Sequence, residues 1–181
     1  MKKFSLTSIS ISIVMLLAYS CTTIRVLNVN KEADFSLSDY ETYDFYKINI
    51  DTTAFPEYNK RFIWVEEELM KQLGNNGLER SVTNPDLFIN IGIMMETKQQ
   101  TRQTDFSDAV FMYQRNYKWE SEEIVLGEYH EGTFAIDFVK AEDNSLQCMV
   151  VGDAVIVKKE KEAKKNIEVG LKKMFRKINK D

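Results

Sequence analysis

One histidine, two cysteines, two prolines and seven glycines are spread over 181 residues, and each scarcity removes a class of chemistry. Zinc sites take three or four N or S ligands, which His130 and a spare cysteine do not supply. A Ser-His-Asp or Cys-His mechanism would have to run through His130. The residues around it, EYHEG, carry no nucleophile-elbow pattern, and a half-exposed strand position is the simpler reading. None of the glycines falls in a GxGxxG or P-loop spacing, so no phosphate cradle and no cofactor are expected. A basic excess is also missing: 24 Lys and Arg stand against 28 Asp and Glu, a net charge of −4. Nucleic-acid binding depends on neutralising phosphates, so a mildly acidic chain is poorly suited to it. There is no internal repeat and no Pro-rich linker.

The N-terminal stretch MKKFSLTSISISIVMLLAYSC joins two lysines to an uncharged, mostly apolar run. That run, Phe4 to Ala18, is shorter than the roughly twenty helical residues that span a bilayer core. It fits a secretory signal peptide instead. Ala18, Ser20 and Cys21 resemble a lipobox, with Tyr19 bulkier than the usual pattern. Residues 1–20 are therefore expected to be removed, leaving Cys21 as a lipidated N-terminus. One acyl chain holds a membrane only reversibly. Lipoproteins of this kind carry two or three on the cysteine, which implies a permanent anchor. Removing residues 1–20 takes away Lys2 and Lys3 and no acids. The balance becomes 22 against 28, a formal charge of −6. With Cys21 lipidated, Cys148 has no disulfide partner; in its apolar run it reads as a small core residue.

From residue 21 to 181 the chain reads as a single domain. IRVLNV and TYDFYKI are predicted strands. Phe62, Val65, Leu69 and Leu73 recur at helical spacing, widened by Ile63 and Met70, and Gly74-Asn75-Asn76-Gly77 stops the helix. Leu87, Ile89, Ile91, Ile93 and Met95 alternate as one face of a strand. KQQTRQTDFSDA reads as a mobile polar loop, and residues 98–123 as a loop or hairpin extension of the domain. TFAIDFV and LQCMVVGDAVIV form a predicted hairpin around Glu142-Asp143-Asn144-Ser145. A closing helix carries Ile167, Leu171, Met174 and Ile178 as its apolar stripe. The expected fold is α+β: two layers, a mainly antiparallel sheet, and both amphipathic helices packed on one face.

Four segments in order, NVNKEADFSLSDYETYDF, the helix into NNGLERSVTNPDLFINI, the hairpin EGTFAIDFVKAEDNSLQ and the final helix, resemble the bacterial lipoprotein family catalogued as domain of unknown function 4136. Asp34, Phe35, Tyr40, Thr42, Tyr43, Asn84, Pro85, Asp86, Leu87, Gly132, Thr133, Asp137 and Gly152 carry the likeness. Where the family usually has Trp before its last glycine, Cys148 or Val150 stands here, and Lys98 to Glu123 has no counterpart. The resemblance implies fold, lipidation and an envelope location. It supplies no catalytic residues.

Asp137 and Asp153 lie on the two arms of the predicted hairpin, where an acid–base pair could form; a hydrogen-bonding or surface role is the plainer reading. Ten basic residues lie between Lys158 and Lys180 against three acidic ones. They suit either a solvated face or contact with anionic lipid. Phe106, Phe111, Tyr113, Tyr117 and Trp119 are dense for so polar a neighbourhood. Tyr113, Tyr117 and Trp119 are the candidate partner surface, since aromatics are enriched in interfaces. The function expected is a non-enzymatic, lipid-anchored envelope protein with a protein-interaction or structural role. It would sit on the outer membrane through lipidated Cys21, facing the periplasm, with an envelope protein as partner. The alternative is a small-ligand-binding lipoprotein with a pocket between helices and sheet.

Overall fold

The structure, a computed structural model, describes residues 24–50, 55–105 and 121–180. Its elements are β1 (Ile24–Lys31), β2 (Thr42–Ile50), α1 (Asn59–Asn75), β3 (Glu79–Arg80), β4 (Leu87–Gln103), β5 (Glu123–Lys140), β6 (Leu146–Val155) and α2 (Glu160–Ile178). Short 3-10 turns at Leu37–Asp39 and Pro56–Tyr58 punctuate the first half. Cys21, Tyr113, Tyr117 and Trp119 lie outside the described residues.

The strands form one sheet in the order β1-β6-β5-β4-β2-β3. The fold is α+β, but the sheet is mixed, which corrects the expectation of a mainly antiparallel one. β1, β6, β5 and β4 pair antiparallel, whereas β2 runs parallel to both β4 and β3. The cause is α1, which returns the chain to the end of the sheet where β2 began. A strand reached through such a crossover runs parallel to the one before it. The helix stops where Gly77 takes φ +89° and the Leu78 N–H reaches back to the Leu73 carbonyl at 3.1 Å. That is a glycine-dependent helix ending.

Thr42 and Asp86 pin the starts of the two parallel strands together. The Asp86 carboxylate accepts from the Glu41 N–H (3.0 Å), the Thr42 N–H (2.8 Å) and the Thr42 hydroxyl (2.9 Å). The Asp86 N–H in turn donates to Thr42 Oγ1 at 3.0 Å.

Residues 98–103, expected as a mobile loop, are the far end of β4. Lys98 to Gln103 pair with Tyr129 to Glu123 of β5. The segment is polar because this ribbon is solvated, and its strand geometry comes from the backbone ladder rather than from apolar burial.

Cross-strand ranks build the core. Ile89, Phe138 and Cys148 stand side by side on β4, β5 and β6, as do Ile91, Ile136 and Val150. These residues are buried in one cluster with Leu69 and Leu73 of α1 and Leu171, Met174, Phe175 and Ile178 of α2. Ile63, placed on the α1 stripe by its spacing, is instead 56% exposed. On α2, Lys173 and Lys177 donate to the Ile24 and Val26 carbonyls of edge strand β1. Part of the basic helix therefore covers a strand edge that would otherwise be open to pairing.

Candidate functional site

The ranks across the sheet shrink toward one end. After Ile91, Ile136 and Val150 comes Ile93, Phe134 and Gly152, and then Met95, Gly132 and Ala154. Two of the three residues in the last rank are glycine and alanine. Residues from the first halves of α1 and α2 line the space beside this end, a cavity of about 150 Å3. Phe62 and Val65 of α1, Ala163 and Ile167 of α2, and Ile156 also line it. Its wall is almost wholly apolar. An engineered apolar cavity of about that volume stays dry and takes up benzene.

Arg61 is the one cation among the lining residues and Asp153 the one acid. Asp153 is already satisfied. Its carboxylate takes both arms of the Arg25 guanidinium, one at 3.0 Å, and Arg25 also reaches Glu131 at 3.0 Å. Lys98 closes on the other Glu131 oxygen. The hydrogen bonds it donates to Asp153 hold the Arg25 guanidinium above its usual range. Arg61 differs: its guanidinium lies 4.4 Å over the Tyr58 ring and donates to the Lys158 carbonyl at 3.2 Å. Partial burial pulls it below the usual arginine range. Beside this rim, His130 stacks edge-on against Phe55 and Tyr58, and its Nδ1 pairs with the Thr97 hydroxyl at 3.0 Å.

The two candidate carboxylates do not meet as a pair. Asp153 stands opposite Thr133, whereas Asp137 stands opposite Met149 on β6 and Asn90 on β4. Residues separated by four positions along a strand are too far apart to share a proton. Cys148 is fully buried, and burial pushes its thiol up to about 11. Among the described residues no group of three or more His, Cys, Asp and Glu is placed to hold a metal. Tyr58, Arg61 and Ile156, which shape the cavity, carry no motif; no spacing in the sequence singles them out.

The motif residues Thr42, Tyr43, Asn84, Asp86, Leu87, Gly132 and Gly152 thus form strand joints and cavity walls. The family profile catalogued as domain of unknown function DUF4136 matches residues 26–178. The chain belongs to this family. No curated protein matches the chain. Among solved structures it is similar to a PDZ domain protein from Parabacteroides distasonis, at 13% identity and a TM-score of 0.50. That likeness covers 94% of the chain and is one of fold; the chain spans 40% of that structure's length. A second similarity, to the PelC dodecamer from Paraburkholderia phytofirmans, has 9% identity and a TM-score of 0.40. It covers 82% of the chain and 93% of the other.

Proposed function

We propose that this is a non-catalytic binding domain of the bacterial envelope, held to the outer membrane by lipidated Cys21, which accommodates a small apolar group between its helices and its sheet. The observation that carries the reading is the cavity above Gly132 and Ala154. It opens to solvent on one side, and apolar surface such as Phe62, Ile156 and Ile167 gains when an apolar group replaces the water against it. The two-layer arrangement, with both helices over one sheet face, belongs to this reading. Its support is the single cluster that Leu69, Leu73, Leu171 and Met174 share with β4, β5 and β6.

The test is titration of the chain with benzene or 1-hexanol, followed by amide NMR. Shifts concentrated at Gly132, Ala154 and Gly170 are the expected result. Absence of any shift at millimolar probe would defeat the reading.

A second reading, a protein-partner surface, is favoured by the β4–β5 ribbon. Among the described residues, no third strand pairs with either beyond Ile93 and Glu131. From Thr97 to Gln103 the ribbon extends about 20 Å at ~3.4 Å per residue. It leads to the segment bearing Tyr113, Tyr117 and Trp119, and Val125 and Leu126 on it are more than half exposed. Replacing the three aromatics together by Ser should leave Tm unchanged and abolish partner retention. A large fall in Tm would assign them to the core.

A further inference from the structure

We infer that the cavity takes the end of an unbranched hydrocarbon tail, and that Arg61 holds the anionic head of the same single-chain amphiphile. The inference rests on the binding reading above and adds the class of ligand. Two observations carry it, one for the tail and one for the head.

The tail follows from size and wall chemistry. A volume of about 150 Å3 is one that six ring carbons occupy. The cavity floor is the rank Met95, Gly132 and Ala154, and its roof includes Ala163 and Ile167. These groups offer dispersion contact and few polar partners, which selects hydrocarbon over sugar, peptide or nucleotide.

The head follows from what surrounds Arg61. A guanidinium has five N–H donors in a planar fork. Among the described residues, Arg61 spends a donor on the Lys158 carbonyl and lays its plane on Tyr58. No carboxylate among the described residues is in ion-pair contact with it. Glu57 and Glu160 act on it only through space, and Glu160 lies 3.9 Å from Lys60 instead. The acid on the cavity wall, Asp153, is held by Arg25. Among the described residues Arg61 is therefore a partly desolvated cation beside an apolar cavity, with donors to spare and no counter-ion in contact. A carboxylate or phosphate matches its fork bidentately. A neutral apolar ligand would leave this cation as it is; an anionic amphiphile satisfies cavity and cation together.

The experiment is calorimetric titration of the chain from residue 21 onward, carrying Cys21→Ala so that no acyl group of its own competes. Octanoate and 1-octanol are the paired probes, equal in tail and different in head. Octanoate should bind about tenfold more tightly, as expected for a hydrogen-bonded charge. Arg61→Gln should remove that difference and leave 1-octanol unaffected. Affinity should rise about fourfold per added methylene along the carboxylate series, then level off once the tail outgrows the cavity. Ala163→Leu, which fills the roof, should weaken both probes. If that variant fails to fold, the plateau in the unsubstituted chain still reports the cavity's length.

Octanoyl lysophosphatidylglycerol separates two sources of the same chemistry. Tighter binding than octanoate would assign the head to a lipid phosphate, and weaker binding to a free fatty acid. Equal affinity for octanoate and 1-octanol would overturn the role of Arg61 while leaving the cavity reading intact. A parallel loss of both probes in Arg61→Gln would do the same, because it would make Arg61 a packing residue. Binding of neither probe would overturn the inference and the cavity reading together.

Discussion

Asn90 and Asp137 stand directly opposite one another on β4 and β5, and the Oδ1 atom of each is buried without a hydrogen-bond partner among the described residues. The register makes the two side chains cross-strand neighbours, and burial pushes the Asp137 carboxyl above the usual aspartate range. A group whose pKa is higher folded than unfolded binds more protons in the native state across that interval. The contribution of Asp137 to stability should therefore be greatest in acid and fall as pH rises from the ordinary aspartate range through the raised value. Asp137→Asn places an amide donor opposite Asn90. It should add about 1 kcal/mol at pH 7, the worth of one hydrogen bond, and flatten the acid limb. Urea denaturation from pH 3 to 7 checks this; an unchanged limb in the variant would exonerate Asp137.

The Thr42–Asp86 joint behaves in the opposite sense. Hydrogen bonds from Thr42 and Glu41 hold the Asp86 carboxyl below its usual range. Its contribution is present above the unfolded pKa and lost as pH falls through the lower native one. Asp86→Ala should cost about 1–2 kcal/mol at neutral pH. In a double-mutant cycle with Thr42→Val the losses should not add, since the two side chains share their bonds. Strict additivity would mean that the joint does not act as a unit.

Two glycines allow a paired test of packing. A Cβ on Gly152 would lie 2.5 Å from Met174 Cε and 2.9 Å from the Arg25 carbonyl oxygen. Met174 can swing aside, but the β1 backbone cannot move without disturbing its ladder. On Gly127 a Cβ would meet nothing within 4 Å. Gly152→Ala should cost about 1–3 kcal/mol, as overpacking does, and Gly127→Ala should be neutral. Thermal unfolding of both would show it, and equal Tm values would refute the close approach.

Cys148 offers a one-thiol reporter. In Cys21→Ala it is the only cysteine, fully buried, with its thiol pushed up to about 11. The thiolate is the reactive form, so a disulfide reagent at pH 8 should label it only when the domain unfolds. The labelling rate should track global stability, as in a Leu69→Ala or Leu171→Ala background, each expected to lose about 2–5 kcal/mol. Rapid labelling under native conditions would place Cys148 outside the core.

The proposed anchor is tested at Cys21. Cys21→Ala should move the protein from the membrane fraction to the soluble one, and mass spectrometry of the parent should find acyl chains on that residue. Protease added to intact cells should leave the parent uncut if it faces the periplasm. A parent protein without lipid mass, fractionating like the variant, would end the lipoprotein reading.

Both helices were legible because a 3.6-residue period in Leu69 and Leu73, or Leu171 and Met174, is a local property that tertiary contacts only confirm. The strand from Leu87 to Met95 was legible for the same reason at period two. Its continuation to Gln103 was not, because a solvated ribbon held by backbone hydrogen bonds leaves no apolar alternation in Lys98 to Gln103. The parallel pairing of β2 with β4 is a property of the path through α1, not of either strand's residues. Asp137 and Asp153 are both carboxylates on neighbouring strands, yet register alone separates them and gives Asp153 to Arg25.

By itself, the sequence determined both helices, the apolar alternation of Leu87 to Met95, the acidic charge and the scarcity of histidine and cysteine. Each of these is additive along the chain. Only the tertiary structure decided that Gly132 and Ala154 share a rank, and that Arg61, bonded to the Lys158 carbonyl, lines the same cavity. A cavity is volume missing between distant segments, and no local pattern records what is missing.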